Sequence, residues 1–223
     1  MGKKLAVLHT SLVFIERERF LLELWGQELP GVVLQHLVDS TLLADVMAAG
    51  EVGKGEVRRF WALVRAAEEA GADLIFSTCS SLGPAVDAVE GLARVPIVRI
   101  DEGMAAEAAL RGRSVGVLAT VPTTLGPTRS LIERQGRKLG KELEVRERLC
   151  RGAFEALMAG DVAGHDRMVA EAVRELCREV DVVVMAQASM ARLGEALAGE
   201  CAVPVLTSPR LAVALLRRRL LGG

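Results

Sequence analysis

The 223-residue chain contains no tyrosine, and aromatic residues make up only 3% of it. Surfaces that stack bases or sugar rings need aromatic faces, so nucleic-acid and carbohydrate platforms are not expected. No charge of one sign dominates: the net charge is −1 and the pI near 6.4. The basic field that nucleic acid or an anionic membrane would select is missing. No apolar run approaches the roughly 18 residues that a membrane span needs. Met1-Gly2-Lys3-Lys4 leads straight into a strand-like stretch and not into a signal-type apolar segment, so a cytoplasmic protein is expected. The four cysteines, Cys79, Cys150, Cys177 and Cys201, lack CxxC spacing and Cys/His clustering. Disulfides and structural zinc are therefore not expected in a reducing compartment. No GxGxxG follows a strand, and a phosphate loop around Gly53-Lys54 fails at Ala48 and Gly55. Neither a cofactor nor a metal is implied.

What is present is a repeat. Ala72-Asp73-Leu74-Ile75-Phe76-Ser77-Thr78-Cys79-Ser80-Ser81 reads like the segment from Val180 to Ser189, at an offset of 108 residues. The same offset carries Val95-Pro96-Ile97-Val98 onto Val203-Pro204-Val205-Leu206. An offset of 110 carries Ala6-Val7-Leu8-His9-Thr10 onto Gly116-Val117-Leu118-Ala119-Thr120. Short stretches of strand type fall at 5–9, 32–38, 73–77, 96–100, 114–119, 142–146, 181–185 and 204–206, most of them apolar. Helical spacing falls at 15–24, 55–71, 83–92, 102–110, 124–137, 151–160, 166–180, 189–197 and 209–220. Strands with little polar alternation, separated by helices, indicate parallel sheets covered on both faces. The expectation is an α/β fold of two pseudosymmetric lobes. Each would hold a roughly four-stranded parallel sheet flanked by helices, with an active-site cleft between the lobes. The boundaries read 1–100 and 101–208, with the terminal helix (209–223) packing back onto the first lobe.

Ligands of open parallel sheets bind beyond the carboxyl ends of the strands. Four loops occupy such positions: His9-Thr10-Ser11, Thr78 to Ser81, Thr120 to Thr124, and Ala186 to Ser189. They are rich in small hydroxyl residues, and most lead into helices. Helix N-termini favour a carboxylate or phosphate, so the expected ligand is a small anion. Thr10, Ser11, Ser80, Ser81, Thr120, Thr123, Thr124 and Ser189 are the candidate donors. The plain alternative is that each of them caps a helix. Cys79 precedes a helix, where a thiol is readily ionised, and could act as nucleophile or base. Cys150, Cys177 and Cys201 fit a structural role. The repeat sets Gln187 where the first half has Cys79, and an amide only donates and accepts hydrogen bonds. His9 is a candidate second acid or base, with a pKa suited to neutral pH. His36 and His165 show no partner pattern. Asp101-Glu102 reads as a helix cap, and Arg217 to Arg219 as a solvated face.

The stretches Phe76 to Gly83, Gly116 to Thr124 and Val183 to Arg192 resemble the aspartate/glutamate racemase superfamily, which includes hydantoin racemases. The resemblance extends from Val7 to Leu206. It implies a cofactor-independent enzyme acting on a small carboxylate. Family racemases place one cysteine on each face of the substrate's α-carbon. Cys79 matches the first, and Gln187 stands where the second would be. The Thr120/Thr123 loop matches the family's carboxylate-holding loop, and the family's frequent Asp-Ser after the first strand appears as His9-Thr10. The implied activity is single-cysteine proton transfer or nucleophilic chemistry on an amino acid or related acid. The alternatives are a non-catalytic carboxylate-binding protein of the same fold, or a one-cysteine lyase or decarboxylase. Dimers are common in that family, so a homodimer is a further expectation.

Overall fold

The computed structural model describes residues 2–12, 15 and 20–222. The chain divides into two compact units, Met1–Ile100 with Pro209–Gly223, and Asp101–Ser208. No described helix is long and apolar enough to cross a membrane.

In the first unit the elements run β1 (Lys4–His9), α1 (Phe20–Glu28), β2 (Val33–Val38), α2 (Leu42–Ala49), α3 (Lys54–Glu69), β3 (Leu74–Ser77), α4 (Gly83–Val89) and β4 (Ile97–Arg99). A 3₁₀ turn, Ser80–Leu82, joins β3 to α4. The second unit runs α5 (Glu102–Arg111), β5 (Ser114–Ala119), α6 (Pro122–Lys138), β6 (Glu144–Leu149), α7 (Ala153–Met158), α8 (Val162–Leu176), β7 (Val182–Met185), α9 (Gly194–Glu200) and β8 (Val205–Thr207). A longer 3₁₀ segment, Ala188–Leu193, joins β7 to α9. The last helix, α10 (Ser208–Leu221), belongs with the first unit apart from its first residue.

Each unit holds one four-stranded sheet, in the orders β2-β1-β3-β4 and β6-β5-β7-β8. All described pairings are parallel. The α/β fold expected from the alternating pattern is therefore present in both halves. The central strands β1, β3, β5 and β7 are buried almost throughout, which is why they read as continuous apolar runs. In the first unit Ala6, Leu8 and Ile75 pack with Phe60, Val64 and Val86 on one face of the sheet. Trp25 meets Phe76 edge-on, with ring centroids 5.6 Å apart. In the second unit Leu118, Val183 and Met185 pack with Val169, Val173 and Leu197.

The repeat reaches down to single hydrogen bonds at the amino ends of these strands. Asp73 accepts from the Lys4 amide at 2.8 Å, and Asp181 from the Arg113 and Ser114 amides at 2.8 and 2.9 Å. Both carboxylates staple one central strand to the next, and these bonds hold their pKa values below the ordinary range.

Several element boundaries differ from the sequence expectation. The helix α2 falls where the sequence pattern assigns no element. β6 lies at 144–149 and not at 142–146, because its pairing with β5, Ser114 opposite Glu144, decides the register of a strand whose residues alternate in charge. α8 starts at Val162, four residues early, because the Asp161 side chain caps it by accepting from the Gly164 amide at 2.8 Å. α6 starts at Pro122, since proline is tolerated in a first helical turn. The helix expected at 15–24 lies partly outside the described residues; its described continuation is α1.

Candidate functional site

The residues singled out by sequence lie at the carboxyl ends of the two central strands of each sheet. In the first unit His9 ends β1, Thr10 and Ser11 follow it, and Cys79, Ser80 and Ser81 follow β3. The adjoining backbones are tied by Thr78, whose amide and hydroxyl both donate to the Leu8 carbonyl, at 3.2 and 2.9 Å. Thr10 is buried, and its carbonyl accepts from the Leu43 amide at the start of α2. Cys79 is half-buried in extended backbone, and its carbonyl accepts from the Leu82 amide at 3.2 Å to open the 3₁₀ turn. Ser80 and Ser81 are buried in that turn.

The second unit repeats this geometry with other chemistry. Gln187 holds the same extended backbone as Cys79 and opens its own 3₁₀ segment through a bond from the Met190 amide, 3.1 Å. Its side chain turns to the neighbouring loop. Oε1 accepts from the Thr120 amide at 2.5 Å, the Thr120 hydroxyl at 3.0 Å and the Val121 amide at 3.1 Å. Two of these donors are backbone N–H groups, which only an oxygen can accept, so the orientation of the amide is chemically determined. Thr123 and Thr124 lie in the first turn of α6, and the Thr124 amide donates to the Val121 carbonyl at 3.2 Å. The Ser189 carbonyl accepts from Arg192 at 2.6 Å.

Three sequence expectations need correction. His9 does not have a pKa suited to neutral pH. It is fully buried, and burial first, then the neighbouring His36, push its pKa from 6.5 down to about 4. His36 and His165 do have partners. His9 Nε2 lies 2.9 Å from His36 Nδ1, and His165 Nδ1 lies 2.8 Å from Asp166 Oδ1 and 3.3 Å from Arg192. Asp101 occupies the cap position of α5, but its side chain does not cap. It is buried and accepts from the Thr128 hydroxyl at 3.3 Å, a residue on α6.

Sequence reasoning also passed over two features. Arg99, at the end of β4, is 4% exposed, and its guanidinium lies against Gly83 at the head of α4. A charge so enclosed has no periodicity to announce it. Cys177 and Cys201 are neighbours, and burial, reinforced by the second thiol, pushes the Cys177 pKa up to about 12. The raised pKa keeps the Cys177 thiol protonated in this setting.

Two parallel four-stranded sheets of one design, each presenting hydroxyl-rich loops at its carboxyl edge, define a duplicated α/β class. The Asp/Glu/hydantoin racemase family model matches residues 22–216, and the chain belongs to that family. Its fold is shared with glutamate racemase RacE1 from Bacillus anthracis, at 16% identity and a TM-score of 0.75, covering 99% of this chain and 82% of that one. Allantoin racemase from Klebsiella pneumoniae is similar at 20% identity and a TM-score of 0.66, covering 99% and 89%. An aspartate racemase from Picrophilus torridus is similar at 15% identity and a TM-score of 0.68, covering 98% and 94%. No curated protein sequence matches the chain significantly.

Proposed function

We propose that the protein is a racemase-type enzyme that acts on a small carboxylate, an amino acid or related acid, by single-cysteine proton transfer without a cofactor. The observation that carries this reading is the unlike pair at matching positions. Cys79 stands half-exposed at the head of a turn, and its counterpart Gln187 is engaged in three hydrogen bonds. A thiolate at position 79 can take a proton from carbon; an amide at 187 cannot. Family membership and the shared fold with glutamate, aspartate and allantoin racemases support the substrate class.

In this reading Cys79 is the proton-transfer group. Ser80, Ser81, Thr10 and Ser11 serve as donors in the first unit, and Thr123, Thr124 and Ser189 in the second. Thr120 and Gln187 form a preset pair: Oε1 holds the loop, and the amide nitrogen is the part of Gln187 left for a ligand. Donors held in place before the reaction stabilise an enediolate-like charge without reorganisation. His9, neutral at pH 7, serves as a hydrogen-bonding group and not as an imidazolium acid.

The test is deuterium incorporation at the α-carbon of amino acids, small dicarboxylates and hydantoins in D₂O. Cys79→Ala should abolish exchange, and Cys150→Ala should leave it intact. Equal exchange in the Cys79 variant would refute the assignment. The engaged amide at 187 favours a second reading, a one-cysteine lyase or decarboxylase, which would show a new product in place of exchange. A carboxylate that raises the melting temperature with neither exchange nor product would identify a binding protein.

A further inference from the structure

The carboxyl ends of β3 and β4 carry chemistry that the second unit does not repeat. Ser77 lies opposite Arg99 in the register, and both stand on the face of the sheet that carries Leu8 and Ile75. Cys79 packs against that same face. At the matching positions of the second unit, 108 residues on, Met185 lies opposite Thr207, and Gln187 follows. A hydroxyl, a thiol and a guanidinium in one half thus answer to a thioether, an amide and a hydroxyl in the other. The half that has the cysteine is the half that has the buried cation.

Arg99 is buried although permanently charged. Its guanidinium fills the place that a side chain on Gly83 would take: Nη2, Cζ and Nη1 all lie within 2.6 Å of where that Cβ would stand. One tight turn separates Gly83 from Cys79. The Leu82 amide donates to the Cys79 carbonyl at 3.2 Å, and the Gly83 amide donates to the Ser80 carbonyl. Such a turn rises only about 6–8 Å. Enclosing a guanidinium is costly, and the architecture does not require one. The second unit builds the same strand, turn and helix with Thr207 against Gly194. Ser77 Oγ is enclosed as well, and has no hydrogen-bond partner among the described residues. Both polar groups call for an explanation other than packing.

We propose that Arg99 is a positioning residue that holds Cys79 as the thiolate, ready to take a proton from carbon. The proposal rests on the reading of Cys79 as the proton-transfer group. A cation enclosed beside a thiol favours its anion, and where water is excluded the attraction is little screened. The Ser77 hydroxyl, two residues before Cys79 on the same face, can turn its positive end toward the same charge. The neighbouring charged groups leave this balance in place. Asp87 of α4, 3.9 Å from Arg99 Nη1, opposes the guanidinium in part and is itself exposed. On α2 Asp45 is bound by Arg59 of α3, which also holds Asp39. His9 of β1 stands on the opposite face of the sheet and is neutral at pH 7. Asp101, two residues beyond Arg99, accepts from Thr128.

Two measurements test it. The first needs no substrate: the rate at which iodoacetamide alkylates Cys79, followed against pH by mass spectrometry of the peptide that carries it. In the wild type the midpoint should fall at least one unit below the ordinary thiol value of about 8.5. A wild-type midpoint at or above that value overturns the proposal, whichever variants fold. Arg99→Met should raise the midpoint by at least one unit, about a tenfold loss of rate at pH 6.5, and Arg99→Lys should keep it near the wild-type value. An unchanged midpoint in folded Arg99→Met overturns the role of the guanidinium. Asp87→Asn, which removes the opposing carboxylate, should lower the midpoint, and a rise there would overturn the proposal too. The second measurement is the pH profile of α-proton exchange. In Arg99→Met the acid limb of kcat/KM should move to higher pH by the same amount as the alkylation midpoint. A loss of rate at every pH with the limb unmoved overturns the role in turnover. If the wild type exchanges no α-proton, the proposed function fails, and the alkylation profile alone decides the part played by Arg99.

Discussion

At the end of β1 the imidazole of His9 is cut off from water, and its charged form is correspondingly costly. The unfolded chain binds a proton there near pH 6.5, the folded chain only near pH 4. Between those values the unfolded state holds more protons, so stability falls as the pH drops through that window. The full shift corresponds to about 3 kcal/mol. Urea midpoints at pH 7 and pH 4.5 should show this loss in the wild type and a smaller one in His9→Gln; an equal loss in both would refute the assignment. Gln187 illustrates the opposite case, an uncharged group made structural by its partners. Gln187→Ala leaves the Thr120 amide, the Thr120 hydroxyl and the Val121 amide without their acceptor. The expected cost is about 1–3 kcal/mol, at the low end where water reaches the loop. Gln187→Glu keeps an acceptor for all three donors and should retain most of that stability in the same denaturation assay.

At the scale of elements, each loop after β3 and β7 turns into a helix that begins at a glycine pressed against the neighbouring strand. A Cβ on Gly83 would come within 2.5 Å of Arg99 Nη2, and one on Gly194 within 2.7 Å of Thr207 Cγ2. The close approach seats α4 and α9 beside β4 and β8, and so sets where Cys79 and Gln187 stand. The Thr207 methyl belongs to a stiff β-branched side chain and cannot swing away. Gly194→Ala should therefore cost about 1–3 kcal/mol by overpacking. Thr207→Ser, which removes that methyl, should restore part of the loss in the double variant; no recovery in its denaturant midpoint would refute this contact as the cause. The elements were unevenly legible. Central strands announced themselves as apolar runs, because both faces are covered. β6 did not, because an edge strand of alternating Glu and Arg is placed only by its partner β5. The helix α8 could have been located better, since Asp161 three residues before Gly164 is a cap signal.

For the whole molecule, the chain does not simply run through one unit and then the other, since α10 closes back onto the first. Ala212, Val213, Leu215, Leu216 and Leu220 of that helix are buried, and Arg217 lies 3.8 Å from Glu28 on α1. Ending the chain at Thr207 should uncover apolar surface of the first unit alone. Hydrogen exchange should then show β1 and β3 losing protection while β5 and β7 keep theirs; equal loss in both would refute that division. Duplication, the two parallel sheets and the hydroxyl-rich loops at their carboxyl ends could all be read from residue order. Apolar runs between amphipathic helices have no other way to be covered on both faces. Which side chains meet could not be read. His9 finds His36 across 27 residues, and Gln187 finds Thr120 across 67. Such pairs depend on strand register and on how each turn aims its side chain, and both are settled only when the sheet assembles.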